Sequence, residues 1–232
     1  AYDFNSAQIV DTAGIPLILV GDSASMTMYG YNTTLPVSMD EMLLVVRAVS
    51  RGTKYALVVA DMPFLSYQTS IEDAVKNAGT LIKDGGAGAV KLEGGIQVEK
   101  HIKTLVDYGI PVLGHVGLTP QSFHQTSGYS IQGKTTEGAQ KIIDDALAVE
   151  KAGAFGVVLE CIPEDLATQI TKKLKIPTIG IGSGNTCDGQ IQVFHDIMGL
   201  LKTDSPKHAK EYANLYNTML NVCKQYKQDV EK

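Results

Sequence analysis

The sequence predicts an α/β protein of the TIM (β/α)8 barrel class, a single domain over residues 1–232 whose first strand is truncated in this chain. Three observations predict it. Apolar runs rich in Val, Ile and Leu recur at Pro16–Val20, Tyr55–Ala60, Ala87–Leu92, Pro111–Leu113, Ala154–Leu159 and Pro177–Ile181; they are continuous rather than alternating, as suits parallel strands covered on both faces. Segments with helix signals separate them. Each run also leads into residues able to do chemistry: Asp22 and Ser23, Asp61, Lys91 and Glu93, His115, Glu160 and Ser183. A barrel gathers such strand ends on one face, whereas an open doubly wound sheet spreads them along a crevice.

Taken in order, the opening Ala1-Tyr2-Asp3-Phe4 reads as the exit of a strand whose body is missing, and a chain that starts at Ala rather than Met is expected to lack upstream residues. Ser38 with Glu41 and Ser70 with Asp73 have the spacing in which a side chain at the helix start satisfies free backbone donors, so each starts a helix. Further helices are expected at about 96–108, 136–152 and 164–174. Gly85-Gly86, Gly109 and Gly153 fall where a left-handed cap releases the chain into the next strand. A weaker seventh strand is expected at Gln192–Gly199. No linker, repeat or low-complexity tract divides the chain.

Composition excludes several classes. Hydrophobic residues are 44% and charged residues 19%, which gives 232 residues ample apolar surface for a core and argues against disorder. A net charge of -5 with no basic block argues against nucleic acid as a partner. The longest apolar run, Ile15–Val20, falls far short of the roughly 20 residues that span a bilayer, so no membrane is expected and the reading is a soluble, cytoplasmic protein. Cys161, Cys187 and Cys223 are odd in number and widely spaced, as expected of reduced thiols.

Asp22, Asp61 and Glu93 at three strand ends can offer hard oxygen ligands to Mg²⁺; singly, each is equally readable as a helix cap or a surface acid. No His/Cys cluster points to zinc or iron instead. Lys91 shares a strand face with Glu93 and reads either as a structural ion pair or as the ammonium that balances an anionic substrate. Glu160 ends a strongly apolar strand, which suits a partly desolvated general base, or else a partner for a nearby lysine. His115 is open between a buried structural histidine and a site residue. Gly180-Ile181-Gly182-Ser183-Gly184 lacks the G-x-G-x-x-G spacing of a dinucleotide site and reads as a tight turn at the barrel mouth, and Cys161, with no base beside it, reads as packing.

The stretches AYDFNSA at 1–7, GDS at 21–23, GYNTTLPVSMDEM at 30–42, DMPFLSYQ at 61–68, KLEGG at 91–95, GHVGLTPQS at 114–122, GYSIQGK at 128–134, AGAFGVVLECIP at 152–163 and IPTIGIGSGNTCDGQ at 176–190 together resemble the ketopantoate hydroxymethyltransferase family of pantothenate biosynthesis. The resemblance implies a (β/α)8 barrel that depends on Mg²⁺. It implies transfer of a hydroxymethyl group from 5,10-methylenetetrahydrofolate to 3-methyl-2-oxobutanoate (2-oxoisovalerate), giving 2-dehydropantoate (ketopantoate). It places Asp22 and Asp61 as metal ligands and Glu93 as a third metal-associated carboxylate. Ser23 and Lys91, with the Asp22 and Asp61 region, match residues that hold the oxo acid, and Glu160 matches the proton acceptor; His115 lies near the site without an assigned role. A homo-oligomer, commonly a decamer, is implied. Val45 departs from the pattern, standing where many members have His. The rival readings are a Mg²⁺-dependent 2-oxo acid lyase or mutase of the phosphoenolpyruvate mutase and isocitrate lyase type, whose catalytic Cys loop KLEGG followed by GHVGLTPQ does not resemble, and a catalytically inert binding module, against which the acids at every strand end argue.

Overall fold

In the computed structural model, residues 1–126, 128, 130–202, 206 and 209–232 are described; Tyr129, within the GYSIQGK stretch, lies outside them. The elements run α1 (Phe4–Thr12), β1 (Leu17–Val20), α2 (Ala24–Thr27), α3 (Met39–Gly52), β2 (Leu57–Asp61), α4 (Ile71–Lys83), β3 (Ala89–Glu93), α5 (Glu99–Asp107), β4 (Val112–Gly117), α6 (Phe123–Thr126), α7 (Thr136–Lys151), β5 (Gly156–Glu160), α8 (Glu164–Lys173), β6 (Thr178–Ile181), β7 (Gly189–Gln190), α9 (Phe194–Ile197) and α10 (Leu215–Val230). The chain falls into two compact units, Ala1–Ile191 and Gln192–Lys232. The first holds all seven strands, paired parallel in the sequential order β1 to β7 of a TIM-barrel fold, and among the described residues no ladder joins β7 to β1. The second holds α9 and α10.

Local sequence explains the boundaries. Ser38 accepts from the Glu41 amide while the Glu41 carboxylate accepts from the Ser38 amide, a reciprocal box that satisfies two otherwise unpaired donors at the start of α3. Ser70 accepts from the Asp73 amide at the start of α4, and Thr135 from the Gly138 amide at the start of α7. At the N-terminus Asp3 caps α1, so Phe4 is already helical and residues 1–3 form no strand. Asp11, at the other end of α1, accepts from the amides of Lys54, Tyr55 and Ala56 and pins the loop that enters β2.

The expected seventh strand at Gln192–Gly199 is corrected. Strand β7 is the short Gly189–Gln190, and Phe194–Ile197 is helical. Val193 with Ile197 and Phe194 with Met198 are spaced four apart, a helical period, and Gly199 at φ 57° ends the turn.

One face of the sheet builds the site. Val59, Ala89, Leu113 and Val158 form a buried apolar layer, with Leu17, Leu19, Phe155, Ile179 and Ile181 packed against it. Side chains two residues apart on a strand share a face, so the next layer up consists of Asp61, Lys91, His115 and Glu160. The polar cluster therefore stands on an apolar floor at the carboxyl ends of β2 to β5, the end at which barrels of this kind carry their active sites. Val45 is buried on α3, on the helix side of the sheet.

Candidate active site

Lys91 is the centre of the cluster. Its Nζ lies 2.8 Å from Asp61 Oδ1 and 3.9 Å from Glu93 Oε1, and it donates to His115 Nδ1 at 3.3 Å. Burial opposes its charge, but the carboxylates of Asp61, Glu93 and Asp22 outweigh burial and hold the ammonium above its ordinary pKa. An ammonium has no acceptor, so His115 Nδ1 accepts and the ring proton is assigned to Nε2. Burial first, and Lys91 second, hold the His115 pKa below its ordinary value, which keeps the imidazole neutral. Its Nε2 lies 3.2 Å from Glu160 Oε2, off the axis of a good hydrogen bond.

Asp22 comes from the loop after β1. Its backbone amide donates to Asp61 Oδ2 at 3.2 Å, which ties the loop after β1 to the end of β2. Burial, then the Asp61 charge, push the Asp22 carboxyl up to about 7. Gly21 before it has no side chain, and the space a Cβ would fill is bordered by Ser23 Oγ and Asp61 Oδ2. Ser23 is half-buried, and its Oγ shares a 2.7 Å hydrogen bond with the Tyr2 hydroxyl. Glu93 is buried, and burial raises its carboxyl well above the usual range. Its Oε2 accepts from the Gln121 amide at 2.9 Å, while Oε1 has no hydrogen bond among the described residues.

The structure thus brings Asp22, Asp61, Lys91 and Glu93 into one buried cluster, adds Glu160 through His115, and places Ser23 at its edge. Glu160 is the most accessible acid of the set, with 18% of its side chain exposed, and Gly117 packs so close to its carbonyl that a Cβ there would fall 2.4 Å from it. Cys161, next along, has a positive φ of 48°, and burial pushes its thiol up to about 11, so it holds its proton at neutral pH. The three cysteines are free. Ser183 ties the Gly180–Gly184 turn to the strand ends by donating to the Leu159 carbonyl at 2.8 Å.

Among the described residues, no group of three or more His, Cys, Asp or Glu side chains converges with metal-binding geometry. Magnesium needs less than that, since it keeps several waters and takes one or two carboxylates. Asp22 and Asp61 are all-oxygen donors close enough to shift each other's environment, and one buried ammonium faces the buried carboxyls of Asp22, Asp61 and Glu93. That all-oxygen set, with Glu93 Oε1 left without a hydrogen bond, fits a hard divalent cation.

Two further residues of the cluster, an amide and a phenol, are missed by a search for carboxylates, amines and imidazoles. Gln121 sits in the 3-10 turn Pro120–Ser122 after β4, and Tyr67 in the loop after β2; both are buried. The sequence marks them only as polar residues close behind strand ends.

Comparison with known proteins gives the same direction. A curated 3-methyl-2-oxobutanoate hydroxymethyltransferase from Dehalococcoides mccartyi strain CBDB1 is 53% identical over 232 residues, all of this chain and 83% of its own length. One of the same name from Citrifermentans bemidjiense is 54% identical over 231 residues, 100% of this chain and 86% of its own length. Among solved structures, a phosphoenolpyruvate phosphomutase from Streptomyces platensis subsp. rosaceus superposes with a TM-score of 0.64 at 13% identity, covering 100% of this chain and 81% of that one, a likeness of fold alone. The family model described as ketopantoate hydroxymethyltransferase matches residues 1–232, from the strand-end acids through Glu160 to the C-terminus, and the chain belongs to the ketopantoate hydroxymethyltransferase family.

Proposed function

We propose that this chain transfers a hydroxymethyl group from 5,10-methylenetetrahydrofolate to 3-methyl-2-oxobutanoate, giving 2-dehydropantoate, the first step of pantothenate synthesis. The observation that carries the reading is the layer Asp61, Lys91, His115 and Glu160 on four adjacent strands, with Asp22 joined to Asp61. Its supports are the family membership and the division of labour that this layer permits.

Asp22 and Asp61 would hold Mg²⁺, with Glu93 behind them acting through water. When bound, Mg²⁺ supplies electrophilic polarisation of the oxo acid, which lowers the cost of negative charge on its keto oxygen. Lys91 adds fixed positive charge on the same side and attracts the substrate carboxylate. Ser23 offers a hydroxyl to that end of the substrate. Glu160 then accepts the C3 proton, and the C–H bonding pair becomes the enolate; the C3 carbon bonds to the one-carbon unit, both bonds from that carbon to the folate nitrogens break with their electron pairs left on nitrogen, and water supplies the hydroxyl, its second proton and the C3 proton ending on the two nitrogens of the departing tetrahydrofolate. Neutral His115 presents Nε2–H to the Glu160 carboxylate and competes with no proton acceptor, because its Nδ1 is turned to Lys91. The apolar floor below excludes water from the lower side of the site.

The chain works in the cytoplasm as a homo-oligomer, a decamer in the usual form of the family, and light scattering reads the subunit number. No described helix is long and apolar enough to cross a membrane. Turnover of 3-methyl-2-oxobutanoate with Mg²⁺, with and without the methylene-folate donor, tests the function. Product formed only with the donor supports it; cleavage without folate would assign a lyase, and no turnover under either condition would assign a binding module.

A further inference from the structure

Gln121 contacts two acids of the site, Asp22 and Glu93, through two different donors. Its Nε2 donates to Asp22 Oδ2 at 3.0 Å and to the Met62 carbonyl at 2.9 Å. Its Oε1 accepts from the Tyr67 hydroxyl at 2.8 Å and from Gln68 Nε2 at 2.9 Å. The amide therefore uses both donors and both lone pairs, and its orientation is fixed: the Met62 carbonyl can only accept and the Gln68 NH₂ can only donate. The backbone amide of the same residue donates to Glu93 Oε2 at 2.9 Å. Tyr67, which locks the Gln121 side chain, in turn accepts from the Glu93 amide at 3.1 Å. One buried residue after β4 thus reaches the ends of β1, β2 and β3 and holds one oxygen of Asp22 and one of Glu93.

We propose that Gln121 is a positioning residue that aims the Asp22 and Glu93 carboxyl groups at the cation site. With Asp22 Oδ2 and Glu93 Oε2 each held by a donor of Gln121, the oxygens left to face a cation are Asp22 Oδ1 and Glu93 Oε1, the latter buried and without a hydrogen bond. Residues that orient metal ligands in this way typically account for 10–100-fold in metal affinity or activity. The effect runs from the Gln121 amide through Asp22, and it rests on the reading of Asp22 and Asp61 as the metal-holding pair.

The test is Mn²⁺ binding to the full chain, followed by electron paramagnetic resonance, in wild type, Asp22→Asn, Gln121→Met and Gln121→Asn. Gln121→Met keeps the length and removes every polar contact of the side chain, leaving the backbone amide on Glu93; Gln121→Asn keeps the amide but draws it back by one methylene, out of reach of Asp22. Both are expected to raise the Mn²⁺ dissociation constant by about 10–100-fold while circular dichroism and the melting profile show a folded protein. A folded Gln121 variant that binds Mn²⁺ like wild type, with Asp22→Asn impaired, overturns the positioning role and leaves the metal pair standing. Wild type that binds no better than Asp22→Asn overturns both. Loss of the fold in both Gln121 variants assigns the residue to structure and overturns the proposal as well.

Discussion

Replacing Lys91 by Met removes the one ammonium from a cluster of buried acids while keeping side-chain length. At an effective dielectric of about 20, a pair of unit charges 2.8 Å apart, the Lys91–Asp61 separation, attracts by about 6 kcal/mol before desolvation is charged against it. Glu93, 3.9 Å away, adds less because it is farther from the ammonium. Removing one member of a buried pair strands the other, and such changes cost about 3–5 kcal/mol. For a chain of this size that corresponds to a melting temperature lower by roughly 6–20 °C. The sign with pH follows from the Lys91 pKa, which the acids raise: its contribution is complete below the unfolded value of about 10.4 and is lost only as pH rises through the folded value, so it is fully present at pH 7. In Lys91→Met the stranded acids lose the charge that favours their ionised forms and take up protons more readily on acidification, so the deficit shrinks from pH 7 toward pH 5. Urea unfolding of both proteins across that range measures it. A loss at pH 7 below about 1 kcal/mol, the value of an exposed pair, or a deficit that grows on acidification, would refute the electrostatic account of the cluster.

Leu113→Ala empties the apolar floor beneath Lys91 and His115; Leu113 is fully buried against Val59, Ala89 and Val158, so a loss of about 2–5 kcal/mol by denaturant unfolding is expected. Asp11 behaves in the opposite sense to Asp22. Hydrogen bonds from the Ala56, Lys54 and Tyr55 amides hold its carboxyl below the usual value, so its contribution is present above about pH 4 and is lost as pH falls through the folded value. Wild type is therefore expected to melt above Asp11→Asn at pH 7 and to converge with it near pH 2, and parallel curves across that range would refute the assignment.

Much of the fold was legible because burial on both sheet faces leaves a local trace. Runs such as Ala154–Leu159 mark strands whose centres the structure reproduces, and the three-residue spacing of Ser38 and Glu41 marks a helix start that forms as read. The last strand was not legible: Gly189–Gln190 has no apolar run, and the apolar residues just after it have a helical period. The acids of the site showed themselves by position, since a carboxylate at the end of an apolar strand is costly without a purpose. Gln121 did not, because its meaning lies in a hydrogen bond to a residue 99 positions earlier, and no local pattern encodes which loop closes over which strand end. The role of His115 was equally invisible, since its tautomer depends on Lys91 of the neighbouring strand.

The account stands on Glu160 as the proton acceptor, and exchange of the C3 deuterium of 3-methyl-2-oxobutanoate into water, with Mg²⁺ present and folate absent, isolates that step. Glu160→Gln preserves size and leaves Asp22, Asp61 and Lys91 in place, so the variant is expected to bind Mg²⁺ and the oxo acid like wild type and to exchange about 10²–10⁴-fold more slowly. Exchange at the wild-type rate in Glu160→Gln would contradict the account and place proton abstraction on another group.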